Sequence, residues 1–283
     1  MLLEVAIQAG VMTEMPTRTG LLFASSRCRE VIRYADVQID LIHEGSGPLI
    51  VMLPSRGRDS EDFNDVAAGL ADAGFRVLRP QPRGALLSRG PSTGIRMQDL
   101  ARDIAHVIER EGAGRAVVAG HAFGNWVARM VATDHPHLVR GVVLMAAAAK
   151  SYPKELHAVM QAAGNPGLAP EQRLEALRKG FFLRPEDAKA WLSGWSGGAM
   201  AVQGVAVAAT KQDEYWQAGD APLLDLVPEQ DPFRPRDAWY EARDAFGERA
   251  TVRTISDASH ALLPEQPGGV IAEIAAWVRK LPE

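Results

Sequence analysis

Short apolar runs alternate with stretches of helical period along most of this chain, and that alternation restricts its fold more than any other feature. PLIVMLP (48–54) is continuously apolar, as a strand buried on both faces must be. DFNDVAAGLADAG (62–74) has helical spacing and ends on glycine, and FRVLRPQ (75–81) predicts a strand. RMQDLARDIAHVIEREG (96–112) places Leu100, Ile104, Val107 and Ile108 on one helical face. AVVAG (116–120) predicts a strand, NWVARMVATDHP (125–136) a helix and VRGVVLMAA (139–147) another strand. Upstream, EVIRYADVQIDLIHE (30–44) reads as two antiparallel strands or a hairpin. The order predicts an α/β fold, a mostly parallel sheet with helices on both faces.

The alternation stops at about residue 149. KELHAVMQAAG, PEQRLEALRKGFF and PEDAKAWLSGW read as short helices divided by proline and glycine. Strands resume with PLLDLVP (222–228) and ATVRTIS (250–256), and GVIAEIAAWVRKL (269–281) predicts a closing helix. The expected organisation is therefore an α/β core over 29–148 and 220–283 and an inserted helical cap over 149–219. Residues 1–28 show no clear period and are expected to form an extension that packs on the core or on a neighbouring subunit, which leaves a homodimer open.

With 283 residues, 47% of them hydrophobic, the chain can bury one large core, alone or with a small accessory domain. A net charge of −4, with Lys and Arg dispersed, argues against a nucleic-acid partner. The single cysteine, Cys28, excludes an internal disulfide, and no Cys/His cluster points to a metal. MLLEVAIQAGVM carries Glu4 and no basic flank, so it is a poor signal peptide, and no apolar run is long enough to cross a membrane. A cytoplasmic setting is the expectation.

GHAFG (120–124) lies between the AVVA run and the helical stretch that follows it. This is the setting of a G-x-S-x-G elbow, a sharp strand-to-helix turn that exposes a nucleophile and admits only small neighbours. Ala122 stands at the serine position.

On these residues the chain resembles the α/β-hydrolase family over roughly 30–283. PQPRG (80–84) is similar to the family's turn after the strand that precedes the elbow strand, PEQDPF (228–233) to its acid loop and DASHALLPEQP (257–267) to its histidine loop. The family's chain order is nucleophile, acid, histidine; here it is Ala122, Asp231, His260. The resemblance implies that His260 is the base and Asp231 the carboxylate that fixes its tautomer and stabilises its charged form. It also implies an oxyanion hole from the backbone N–H of Phe123 and a second N–H, by position Arg56. The family's usual H-G at that second place is Pro54-Ser55 here, a departure. His43, His106, His121, His135, His137 and His157 match no motif and are expected to be structural.

Three readings of Ala122 stand side by side. It is an engineered replacement of serine in an ester hydrolase; or it is native and the His–Asp dyad activates water or runs lyase chemistry; or the protein binds a ligand without catalysis. Related branches that place Asp or Cys at the elbow are less well matched, since alanine differs from serine by one oxygen. The expected partner is a small-molecule carboxylic ester or lactone, and no cofactor is implied. Met160, Phe181, Phe182, Trp191, Trp195, Met200 and Trp216 suggest an apolar roof, although each also suits the insertion's own core. Ser55 lies near where a substrate carbonyl would sit; the alternative is a solvated or backbone-capping loop serine. Arg56 or Arg58 could pair with a second carboxylate, as in a half-ester; the alternative for both is a solvated loop arginine.

Overall fold

The computed structural model describes residues 27–282. Residues 1–26, most of the expected extension, lie outside the described residues. Its boundary is corrected at one position, because Cys28 already opens the first strand. The elements are β1 (Cys28–Tyr34), β2 (Val37–Gly45), β3 (Leu49–Leu53), α1 (Asn64–Asp72), β4 (Arg76–Pro80), α2 (Met97–Glu111), β5 (Ala116–His121), α3 (Phe123–Asp134) and β6 (Val139–Met145). Then come α4 (Leu156–Gly164), α5 (Pro170–Gly180), α6 (Gly197–Ala208), β7 (Leu223–Pro228), α7 (Glu241–Phe246), β8 (Ala250–Ile255), α8 (Leu262–Glu265) and α9 (Pro267–Val278).

The strands form one eight-stranded sheet in the order β1-β2-β4-β3-β5-β6-β7-β8. β2 runs antiparallel to β1 and β4, and every other pairing is parallel. Strand side chains alternate between faces, so each central strand feeds two cores. Val51, Leu53, Val118, Val142 and Leu144 pack with Leu100 and Ile104 of α2 and Val127 and Val131 of α3. Ile50, Met52, Val117, Val143 and Met145 pack on the opposite face with Val66 and Leu70 of α1 and Val270, Ile274 and Val278 of α9. Among the described residues, no helix is long and apolar enough to cross a membrane.

The insertion between β6 and β7 has a core of its own. Leu156, Val159, Leu177, Phe181, Phe182 and Trp191 cluster with Phe233 and Ala261, which belong to the loops after β7 and β8. The insertion is thus packed onto the two loops that carry Asp231 and His260. It differs from the sequence reading in two elements. PEDAKAW forms a short 3-10 turn, Asp187–Trp191, rather than an α-helix. GGAMAVQGVAVA forms α6, which buries Ala199, Val202, Gln203 and Ala206.

Candidate active site

The elbow is built by close approach. β5 ends at His121, α3 begins at Phe123, and Ala122 between them sits at φ 46°, ψ −114°. Positive φ is costly for a residue with a Cβ, on the order of 1–3 kcal/mol, and persists where surrounding structure imposes it. Here the Ala122 N–H donates to Met145 O at 2.9 Å, tying the turn to β6. A Cβ at Gly120 would collide with the backbone of Gly124 and Asn125, and one at Gly124 with the Leu53 carbonyl at the end of β3. The Asn125 amide also donates to the Ala122 carbonyl.

Asp231 and His260 reach this point from loops after β7 and β8. His260 Nδ1 lies 2.9 Å from Asp231 Oδ2, and both residues are buried. The Asp231 Oδ1 accepts the Phe233 N–H at 2.9 Å, which orients the carboxylate. A carboxylate only accepts, so Nδ1 carries the hydrogen and Nε2 of the neutral ring is left as a base. The Phe233 and Phe181 rings lie 4.4 and 5.4 Å from the imidazole, centroid to centroid. His121 supports the loop from below: its Nε2–H donates to His260 O at 2.8 Å. Complete burial, reinforced by neighbouring His260, lowers the His121 pKa to about 3, so that ring is neutral. Its Nδ1 has no partner among the described residues.

A cavity of about 150 Å³ opens over the elbow, lined by Ser55, Arg56, Ala122, Phe123, His260 and, from the insertion, Tyr152, His157, Met160, Phe181 and Trp195. Position 122 and His260 therefore face one space. Phe123 also lines a smaller cavity of about 40 Å³ whose walls include Leu53, Leu100, Ile104 and Val127. The Phe123 N–H belongs to the first turn of α3, whose donors have no intrahelical acceptor. Around Arg56 the neighbouring amides are engaged, Gly57 N–H with Gln203 Oε1 at 2.7 Å and Arg58 N–H with Ser55 O at 3.1 Å. Among the described residues, the Arg56 N–H donates to nothing.

Three expected substrate contacts are corrected. Arg58 does not line the cavity. Its guanidinium grips the Asp62 carboxylate through two nitrogens, donates to the Trp191 and Ser193 carbonyls, and lies 4.7 and 4.9 Å from the Trp191 and Trp195 rings. Its donors are used in docking the insertion onto the β3–α1 loop. Trp191 is buried against Arg58, His121, Phe181 and Phe182. Trp216 covers Arg129, whose guanidinium lies 4.4 Å from its ring. Of the remaining expected roof, Met160, Phe181 and Trp195 line the cavity, while Met200 packs towards Gly57 and Gly164. Sequence reasoning missed Asn125, Trp126, Ala148, Val207 and Phe233 in the lining and, among its polar members from the insertion, Tyr152 and His157. Tyr152 precedes α4 and His157 lies in its first turn, and their five-residue separation matches no motif.

Comparison with known proteins follows the same pattern. A model of the alpha/beta hydrolase fold matches residues 48–267. The 2-(acetamidomethylene)succinate hydrolase of Mesorhizobium japonicum is 33% identical over 107 residues, 38% of this chain and 38% of that one. Matches to three of the curated relatives span 38–44% of their lengths. An esterase from Thermogutta terrifontis, solved with malate bound, superposes with a TM-score of 0.72 at 23% identity, covering 90% of this chain and 98% of the other. A solved E-2-(acetamidomethylene)succinate hydrolase gives 0.74 at 18% identity, covering 90% and 100%. At such identities the likeness is one of fold.

Proposed function

This chain belongs to the alpha/beta hydrolase fold family, and on that premise we propose that its cavity is a hydrolase site for a small to medium carboxylic ester or lactone, with position 122 in the nucleophile's place. The observation that carries the reading is the buried Asp231–His260 pair at 2.9 Å, facing the same cavity as a residue held at the strained elbow. The names of the relatives, a succinate-derivative hydrolase and an esterase, agree with acyl chemistry.

With serine at 122, His260 Nε2 would take the hydroxyl proton as the oxygen attacks the substrate carbonyl. Asp231 would stabilise the imidazolium, and the Phe123 and Arg56 N–H groups would receive the developing oxyanion. His260 would then return the proton to the leaving alcohol, and water would release the acid by the same steps in reverse roles. The inserted helices act as a cap that makes the site apolar. In the chain as it stands the Ala122 side chain has no oxygen, so this covalent route is closed.

One observation supports a second reading for the unaltered chain: the dyad is complete, and the cavity beside the Ala122 methyl is large enough for water together with a small ligand. Water held on His260 Nε2 could attack the carbonyl directly. Ester turnover measured for this chain, for Ala122→Ser and for each combined with His260→Gln separates the readings. A gain in Ala122→Ser that His260→Gln removes supports the serine-type site. Slow turnover in the unaltered chain that also needs His260 supports direct water attack. No turnover in either, with retained ligand binding, leaves a binding protein.

A further inference from the structure

Arg56 differs from the other inward-facing arginines of this molecule. Arg58 is paired with Asp62, Arg79 with Glu44, Arg83 with Asp103 and Arg234 with Asp225. Arg129 is held by Asn125 and the Trp216 carbonyl. Arg56 makes no ion pair or side-chain hydrogen bond among the described residues, and its Nε is shut off from solvent without an acceptor. Burial lowers its pKa, and Tyr152 is the one titratable neighbour that acts against this. A half-buried cation with no counter-charge is unfavourable by itself and favours the arrival of an anion.

The surroundings fit such an arrival. Arg56 lines the cavity from the β3–α1 loop, and its Nη2 lies where α6 has Gly204; a Cβ there would be 2.9 Å from the nitrogen. Tyr152, also in the lining, donates its hydroxyl to His157 Nε2 at 3.1 Å, because His157 Nδ1–H is turned to Lys154 O. A hydroxyl hydrogen can rotate about its C–O bond, so the hydrogen that Tyr152 now donates to His157 can turn to an anion drawn in by Arg56. Much of the remaining wall is aromatic or aliphatic, Met160, Phe181, Trp195 and Phe233 among it, and Ser55, Asn125 and His260 are its polar members, none of them paired with Arg56. One guanidinium and one hydroxyl match a singly charged planar group, and apolar walls do not suit a more heavily charged one.

We propose that Arg56 and the Tyr152 hydroxyl form a carboxylate subsite in this cavity, so that the ligand is an ester of a dicarboxylic acid whose second carboxyl group is free. The proposal rests on reading the cavity as a hydrolase site, and a binding measurement separates the two. Calorimetry on the unaltered chain compares monomethyl with dimethyl esters of succinic, glutaric and adipic acid. At least one monoester is expected to bind about tenfold or more tightly than its diester. Arg56→Met should level that ratio, and Tyr152→Phe should reduce it without levelling it. Arg56→Lys, which keeps the charge but lacks the two-pronged guanidinium, should also weaken the monoester, and covers the case in which Arg56→Met fails to fold.

Equal affinities, failure of every monoester to bind, or a preference that survives Arg56→Met would overturn the subsite. Turnover of diesters by Ala122→Ser with no preference for monoesters would likewise remove the subsite while sparing the hydrolase reading. Tight monoester binding that needs Arg56, with Ala122→Ser inert, would keep the subsite and remove that reading instead.

Discussion

Arg56 and Arg58 stand two positions apart on the β3–α1 loop, and the protein treats them in opposite ways. Arg58 is 2% exposed, shares its charge with Asp62, donates to two carbonyls of the insertion and lies 4.7 and 4.9 Å from two tryptophan ring centroids. The strands of chain beside it are joined as well: Asp59 N–H donates to Gly194 O at 3.0 Å and Ser196 N–H to Gly57 O at 2.7 Å. Arg56 faces the cavity with an unsatisfied Nε and no acid among the described residues. One seam between core and insertion is closed in polar terms, and the other is left open to a ligand. The difference separates a residue that holds the roof in place from one that the roof leaves available. It also implies that stability and binding can be perturbed independently on a single loop.

The largest effect is expected at the closed seam. Arg58→Ala leaves the Asp62 carboxylate buried without its partner, which costs about 3–5 kcal/mol. Urea denaturation should show the loss, and a change below about 1 kcal/mol would mean that the seam is not held by this pair. A third seam, at Glu265, sharpens the contrast. Its carboxylate accepts Leu183 N–H of the insertion at 2.6 Å and Ser259 N–H of the histidine loop at 2.7 Å. Glu265→Gln turns an NH₂ group towards one of these donors, and a cost of about 1–3 kcal/mol is expected in the same assay.

His121 should show itself through pH. Its folded pKa, about 3, lies below the ordinary 6.5, so the ring is neutral in both folded and unfolded chains above 6.5. Between those values only the unfolded chain takes up the proton, and stability falls as the pH drops, by up to about 1.4 kcal/mol per pH unit. His121→Gln should flatten that limb of the stability profile; an unchanged slope would assign it to other groups. The smallest effect belongs to the open seam. Arg56→Met should move stability by no more than about 0.5 kcal/mol in either direction, since it breaks no pairing and removes an unsatisfied donor. A loss as large as that for Arg58→Ala would erase the distinction between the two arginines.

Much of this was legible in the sequence where one short stretch carries the signal. The apolar runs of β3, β5 and β6 declare burial on both faces, and the two glycines about Ala122 declare the turn. Asp231 and His260 are readable because each follows a strand in a recognisable loop. The fate of Arg58 was not readable, because its carbonyl partners at 191 and 193 lie far along the chain and meet it only when the insertion docks. The same holds for the tryptophans: Trp191, Trp195 and Trp216 look alike as residues, and only packing directs Trp195 alone of the three to the cavity. The α6 helix escaped notice because its glycine, alanine and valine residues give little polar contrast from which to read a period. Tyr152 and His157 come together through an irregular turn that leaves no spacing rule.

Position 122 is the centre of the account, and covalent labelling tests it most directly. Ala122→Ser should react with a fluorophosphonate, with the mass increment mapped to the peptide that carries residue 122. Labelling should disappear when His260→Gln is added, because the hydroxyl then loses the base that activates it. An Ala122→Ser protein that is folded and remains unlabelled, or that is labelled equally well without His260, would contradict the assignment of this elbow, cavity and dyad as a hydrolase site.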